Sequence, residues 1–253
     1  MIDFHSHCLP EIDDGAKDVN MSIEMLHDSF LQGVRTVVAT PHCYLKDEDY
    51  IDEFIEKRNN SYNILTEAVK NQDKPCPEII LGCEFHPMKE ISDVEVLKKL
   101  CIGNTDYLLV EMPYRQWKES HFELLHSLSV HGITPIMAHI ERYWDKRELF
   151  SNLYSLDVAY QINAESFIDK RDRKNVEKLF SEGAVNIIGS DMHDTKVRKS
   201  YMQDAKKQIE MLYGEERFSY LMSNASKILN NEPIEKKDFI EKGFFEKLFK
   251  SKK

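Results

Sequence analysis

Short apolar runs alternate along the chain with longer segments whose apolar residues recur every three or four positions. Seven runs have strand length: Met1 to Phe4, Val34 to Thr40, Glu78 to Cys83, Asp106 to Val110, Ile133 to Ala138, Ala159 to Ile162 and Ala184 to Ser190. Between the first two, Val19, Ile23, Leu26 and Phe30 mark one face of a helix over Asp18 to Gln32, stopped by Gly33. The same spacing predicts helices over Asp49–Lys70, Val94–Leu100, Glu119–His131, Lys146–Ser155 and Asp172–Glu182, with Gly132 and Gly183 as stops. From Val197 to about Asn230 the pattern is helical throughout. Seven strands alternating with helices are the mark of a parallel βα array. An open doubly wound sheet would gather its ligands at one switch point. Here polar residues of metal-binding type follow nearly every strand, which favours a closed, TIM-like α/β barrel with its site at the C-terminal ends of the strands.

A chain of 253 residues suits one such barrel, and 42% hydrophobic residues suffice for its core. The expected division is a barrel over residues 1–232 and a charged C-terminal tail over 233–253. Acidic residues outnumber basic ones 44 to 34, a net charge of -10. Such a surface is a poor partner for nucleic acid or anionic lipid and a natural host for cations. The five cysteines (Cys8, Cys43, Cys76, Cys83, Cys101) are odd in number and lack a CxxC spacing, so neither a disulfide framework nor a zinc ribbon is indicated. Reduced cytoplasmic thiols are expected. The first strand is expected to begin at Met1, so no signal peptide is expected. No apolar run nears the ~20 residues that span a bilayer, so no transmembrane segment is expected.

The chemistry concentrates at strand ends. In His5-Ser-His7 the two imidazoles share one side of a strand. Asp13 and Asp14 follow in a turn closed by Gly15 and add oxygen ligands. His42, Glu84, Glu111, His139, Asp191 and His193 each sit at or just past a predicted strand. Charged groups avoid such places unless paired or bound to metal. With Asp14 these make nine candidate ligands: His5, His7, Asp14, His42, Glu84, Glu111, His139, Asp191 and His193. Imidazole and carboxylate without thiolate suit manganese, iron or zinc, and nine ligands suggest three ions. Arg142 and Arg198 lie beside this set, and guanidinium forks match phosphate oxygens; a surface salt bridge is the alternative for each. Arg142, Arg198 and Asp14 form the catalytic expectation. His27, His121, His126 and His131 are read as solvated helix residues, and His86 as near Glu84. Tyr114, Trp117 and Tyr143 either wall a flat substrate ring or cap the core.

His5-Ser-His7 with Leu-Pro-x-Ile-Asp-Asp-Gly-Ala16, Ala39-Thr-Pro-His42, Gly82-Cys-Glu84, Ala138-His-Ile-Glu-Arg-Tyr143 and Ser190-Asp-Met-His193 resemble the PHP (polymerase and histidinol phosphatase) superfamily. Within it they resemble the bacterial manganese-dependent protein-tyrosine phosphatases of capsule and exopolysaccharide loci. The resemblance runs from Met1 to about Asn230. It implies a distorted seven-stranded barrel and a trinuclear centre. His5, His7, Glu84 and Asp191 would hold one ion, Glu84, Glu111 and His139 a second, and Asp14, His42 and His193 the third. Mn²⁺ is the implied ion, with iron or zinc as alternatives. The implied reaction is hydrolysis of phosphotyrosine, typically on a cognate bacterial tyrosine kinase. Family members usually carry Gly where this chain has Glu11. No cysteine has an arginine six residues later, which excludes a cysteine phosphatase. A small-molecule phosphatase acting on a histidinol phosphate-like ester is the rival reading, and a non-catalytic, metal-stabilised regulatory module the next. In the tail, Phe244, Phe245, Leu248 and Phe249 with neighbouring lysines suggest a weak membrane-surface contact, against the favoured reading of a soluble or docked tail.

Overall fold

The structure is a computed structural model that describes residues 1–44, 49–87, 94–153, 156–169, 173–181 and 184–235. Of the expected tail over 233–253, residues 236–253, which carry the weaker membrane-contact reading, lie outside the described residues.

Nine strands and six α-helices occur among the described residues. In order they are β1 (Ile2–Ser6), α1 (Val19–Leu31), β2 (Thr36–Ala39), β3 (His42–Tyr44), α2 (Asp49–Lys70), β4 (Glu78–Leu81), β5 (Glu84–His86), β6 (Tyr107–Val110), α3 (Glu119–Val130), β7 (Thr134–Met137), β8 (Ala159–Asn163), α4 (Arg173–Ser181), β9 (Ile187–Gly189), α5 (Met202–Tyr213) and α6 (Glu215–Leu229). Every pairing is parallel. One sheet has the order β1-β2-β4 and the other β3-β5-β6-β7-β8-β9.

The sequence predicts seven strands in one ring; the hydrogen-bonded strands are nine in two sheets. The difference has a local cause. β2 and β3 are halves of one extended run, parted at Thr40–Pro41, where proline offers no N–H. β4 and β5 are halves of another, parted at Gly82–Cys83. The first and last runs meet through a parallel bridge between Ser6 and Met192.

Two apolar layers hold the arrangement. Phe4, Val38, Leu109, Ile136, Ala159 and Ile187, one from each of six strands, form an inner cluster, and Ala225 and Ile228 of α6 close it from below. The opposite faces of the same strands pack outward beneath the helices. Covered on both sides, strands read as apolar throughout instead of alternating.

The helix spans follow their caps. Asp18 accepts the Met21 N–H at 2.9 Å to start α1. His121 is no free surface group: its Nδ1 accepts the Lys118 N–H at 2.8 Å and caps α3. The segments Val94–Leu100 and Ile140–Asn152 wind as 3₁₀ helix where α-helix is expected, the second kinked at Tyr143. The long helix expected after Val197 is instead a turn followed by α5 and α6, which part at Gly214 with φ +86. Past Asn231 the chain stays anchored: Tyr107 donates to the Glu232 carbonyl at 2.8 Å, and Tyr220 to that of Glu235 at 2.7 Å. No helix among the described residues is long and apolar enough to cross a membrane.

Candidate metal centre

The nine predicted ligands come together: Glu111, His139, Asp191 and His193 just past strand ends, His5 and His7 at the end of β1, His42 and Glu84 at the breaks that open β3 and β5, and Asp14 in the turn after β1. His5 and His7 leave β1 fully buried, with their Nε2 atoms 3.1 Å apart. Both point at Glu84 Oε2, at 3.3 and 3.4 Å, and at Asp191 Oδ1, at 3.5 and 3.4 Å. On one flank, Glu84 Oε1 lies 2.9 Å from His139 Nε2, which is 3.6 Å from Glu111 Oε1. On the other, Asp14 Oδ1 lies 3.5 Å from His42 Nε2 and 3.4 Å from His193 Nε2. Three groups offer ligand atoms that all lie within 4.8 Å of one another: His7, Asp14, His42 and His193; His5, His7 and Glu84; His42, Glu84 and Glu111.

Several of these atoms have the wrong surroundings for a finished polar core. Glu84 Oε2, His42 Nδ1 and His193 Nε2 are buried without a hydrogen-bond partner. Glu84 Oε2 and His42 Nδ1 are 2.9 Å apart, yet they are not aligned for a hydrogen bond. Buried polar atoms are normally satisfied, and a divalent cation satisfies several at once. The donor set of imidazole nitrogens and carboxylate oxygens fits manganese, iron or zinc.

The electrostatics agree. Burial opposes the charge on Glu84, but His5, His139 and His42 hold its carboxyl well below the usual range. Burial likewise opposes the charge on Asp191, which His5, His7 and Arg142 keep ionised. Burial works against protonation of His5 and His7, yet the surrounding carboxylates raise both. His193 goes the other way, to about 4, through burial and the charge of His7. The cluster thus favours positive charge on His5 and His7 beside its anionic oxygens, as a bound cation would supply it.

Backbone strain marks the same place. His139 and Asp191 adopt φ +33 and +55, a left-handed conformation that non-glycine residues avoid. Close approach is the other device. A Cβ on Gly189 would meet His5 Cβ at 2.5 Å, and one on Gly15 would meet the His7 carbonyl at 2.1 Å. Only glycine lets β9 and the acidic turn press against the histidine pair.

Arg142 and Arg198 both reach the far side of Asp191, with Nη2 atoms 2.5 and 3.0 Å from Oδ2. The loop of Arg198 is set by Asp194, whose carboxylate accepts the N–H groups of Lys196, Val197 and Arg198. An aspartate opening a turn was a readable signal for this.

A family description for capsular polysaccharide synthesis, CpsB/CapC, matches residues 1–230. The chain belongs to the CpsB/CapC family. It is 30% identical over 248 residues to the tyrosine-protein phosphatase CpsB of Streptococcus agalactiae, covering 92% of this chain and 100% of that one. It is 31% identical over 244 residues to the tyrosine-protein phosphatase YwqE of Bacillus subtilis, covering 92% and 93%. A solved structure from work on YwqE of Bacillus subtilis and CpsB of Streptococcus pneumoniae, metal-dependent tyrosine phosphatases, matches with a TM-score of 0.80 at 28% identity, over 94% and 98% of the chains. The phosphotriesterase homology protein of Escherichia coli, at 9% identity and TM-score 0.52, shares the fold alone, over 90% and 97%.

In this CpsB/CapC-family chain, several neighbours of the nine residues do work that the sequence left unassigned. Asp13, expected beside Asp14 as an oxygen ligand, turns away. Its Oδ2 lies 2.7 Å from His7 Nδ1 and accepts the His42 N–H at 3.0 Å, and His7 helps hold it near 2 despite burial. His86 reaches Glu111 at 3.1 Å. Glu141, buried, accepts from Ser166 Oγ at 2.8 Å and faces the Asn163 N–H. Gln161 and Asn163 of β8 lie behind His5, His139 and Asp191. Of the two readings of Tyr114, Trp117 and Tyr143, Tyr143 and Trp117 follow the core cap and not the substrate wall. Tyr143 is fully buried and donates to the Met112 carbonyl, Trp117 packs edge-on against it, and Tyr114 faces solvent. An exposed aromatic ring beside the cluster is Tyr44, which stacks on His42 at 5.0 Å and is 40% exposed.

Proposed function

We propose that this chain is a metal-dependent protein-tyrosine phosphatase that hydrolyses phosphotyrosine on a cognate bacterial tyrosine kinase in capsule or exopolysaccharide synthesis. The observation that carries the reading is the convergence of nine imidazole and carboxylate side chains, with orphaned buried atoms, in a CpsB/CapC-family chain. The seven extended runs are taken as one distorted barrel, with residues 1–232 as the phosphatase and residues 233–253 as a charged tail.

Three Mn²⁺ ions are the proposed complement, with iron or zinc as substitutes. His5, His7, Glu84 and Asp191 would hold one ion, Glu84, Glu111 and His139 another, and Asp14, His42 and His193 the third. The grouping by distance supports part of this division: it keeps His5, His7 and Glu84 together, adds His7 to Asp14, His42 and His193, and sets His42 instead of His139 beside Glu84 and Glu111. When bound, such ions lower the pKa of a coordinated water and offset charge on a phosphoryl group.

The remaining roles fall to the chain. Arg142 and Arg198, each about one-third exposed, present guanidinium forks on one side of the cluster, where phosphoryl oxygens would lie. Asp14, 65% exposed, stands at the mouth with Oδ2 toward Arg198, placed to orient the incoming water. Tyr44 offers a face for the aryl ring of the substrate. A tyrosine leaving group has a pKa of about 10, so no strong general acid is required. All five cysteines are free thiols, which suits a reducing, cytoplasmic setting.

Turnover on a phosphotyrosine peptide should be abolished by prolonged chelation and restored by Mn²⁺. A higher kcat/KM on histidinol phosphate than on the peptide would overturn the assignment in favour of a small-molecule phosphatase.

A further inference from the structure

Two of the five residues of β8 are amides, although the strand is buried along its whole length. Gln161 and Asn163 are two apart and so share a face. β8 supplies none of the nine converging side chains, so its buried polar groups need another account. We infer that Gln161 and Asn163 form a one-way hydrogen-bond relay that sets which nitrogen of His5 faces the metal site and which oxygen of Asp191 is left for it. The inference rests on the metal reading of the cluster.

The direction of the relay is fixed independently from both ends. At one end stands the peptide N–H of His139, a donor that cannot reverse, 2.7 Å from Gln161. The Gln161 atom there must be the carbonyl oxygen, Oε1. The same oxygen lies 3.2 Å from His5 Nδ1. An amide oxygen only accepts, so Nδ1 must bear the hydrogen, and in the neutral ring Nε2 then keeps its lone pair. His5 Nε2 is the atom 3.3 Å from Glu84 Oε2. At the other end stands the Asp191 carboxylate, which only accepts. Its Oδ2 is 2.9 Å from Asn163, so the atom there must be the amino group, Nδ2. That leaves Asn163 Oδ1 to face Gln161 Nε2, at 2.9 Å.

Both ends demand the same polarity, and no amide has to be turned over to satisfy the other. The groups involved are at most 4% exposed, so water does not substitute for a missing member. Asp191 Oδ2 is then filled by Asn163, Arg142 and Arg198, and Oδ1 alone remains toward His5 and His7. Gln161 and Asn163 are positioning residues. They act on the reaction only through His5, His139 and Asp191.

Long-range ¹H–¹⁵N spectra of the histidine rings in the metal-free protein, taken at alkaline pH, read the tautomers directly. The wild type is expected to carry the His5 hydrogen on Nδ1. Gln161→Met keeps the length but removes the acceptor. It should lose that preference and bind zinc, used as a diamagnetic probe, roughly 10–100-fold more weakly. Gln161→Glu keeps the acceptor but loses the donor to Asn163, so it should retain the His5 tautomer while still binding zinc less well. A merely structural role would not split the two variants in this way. A wild-type His5 hydrogen on Nε2 would overturn the relay, and that measurement stands even if a variant does not fold. So would a Gln161→Met protein matching wild type in tautomer and zinc affinity. A wild type with the Nδ1 hydrogen that takes up no zinc would uphold the relay and overturn the metal reading instead.

Discussion

Single side chains carry the sharpest expectations. Asp3 is buried behind His5, with Oδ1 accepting the Ser190 N–H at 2.7 Å and Oδ2 without a partner. Burial lifts its carboxyl to about 6, in spite of the hydrogen bonds from Ser190 and His5. A carboxyl raised on folding destabilises once pH climbs past its unfolded value, and the penalty is complete above its folded value. Asp3→Asn in the metal-free protein should therefore gain roughly 2 kcal/mol at pH 8, a gain that vanishes below about pH 4 in urea melts. Tyr44→Ala should lower the preference for aryl over alkyl phosphates roughly tenfold in kcat/KM, since one aromatic stacking contact contributes about 0.5–1.5 kcal/mol. His42→Ala or Asp14→Ala should keep the circular dichroism spectrum and lose most turnover. The ligands were legible because polar residues at the ends of apolar runs stand out, and the His5–His7 spacing says they share a side. Gln161 and Asn163 carried the same period-two signal, but amides are a weaker cue than charges. For Tyr114, Trp117 and Tyr143 both a substrate wall and a core cap stayed open, because an aromatic residue after a strand looks alike whether it turns inward or outward.

Among elements, the joints decide the geometry. Glu11 sits at φ +57, a left-handed conformation that favours glycine. Glu11→Gly should raise the melting temperature by roughly 2–4 °C, the shift expected from about 1 kcal/mol of relieved strain. Gly189→Ala should do the opposite. Its methyl group would collide with His5 and push β9 off β1, costing about 1–3 kcal/mol, and metal uptake should weaken with it. Helix spans were legible wherever a cap was written in the sequence, as at Asp18, Gly33 and Gly132. The breaks within β2–β3 and β4–β5 were not. Pro41 and Gly82 interrupt hydrogen bonding without interrupting the apolar run, so each pair reads as one strand. Tyr44 was missed for the same reason, because the run was taken to end at Pro41–His42.

At the level of the whole molecule, proton and metal compete for one cluster. Carboxylates raise His5 and His7 against the effect of burial. In the metal-free protein their contribution to stability is therefore full below about 6.5, the unfolded value, and is lost as pH rises through the folded values. His193, held near 4, works in the reverse sense but titrates below that window. The metal-free protein should thus melt at progressively lower temperature above neutrality, and Mn²⁺ should remove the decline. Metal binding should also release protons and weaken as pH falls, which calorimetry in buffers of different ionisation enthalpy would read. The bridge from Ser6 to Met192 has a further consequence, one of timing. His5 and His7 leave the ribosome long before Asp191 and His193, and nothing completes their coordination until the last strand has closed on the first. On the proposed division, the ion sites that need Asp191 or His193 therefore take shape only once that strand is in place, and their choice of metal is made in the surroundings where synthesis ends.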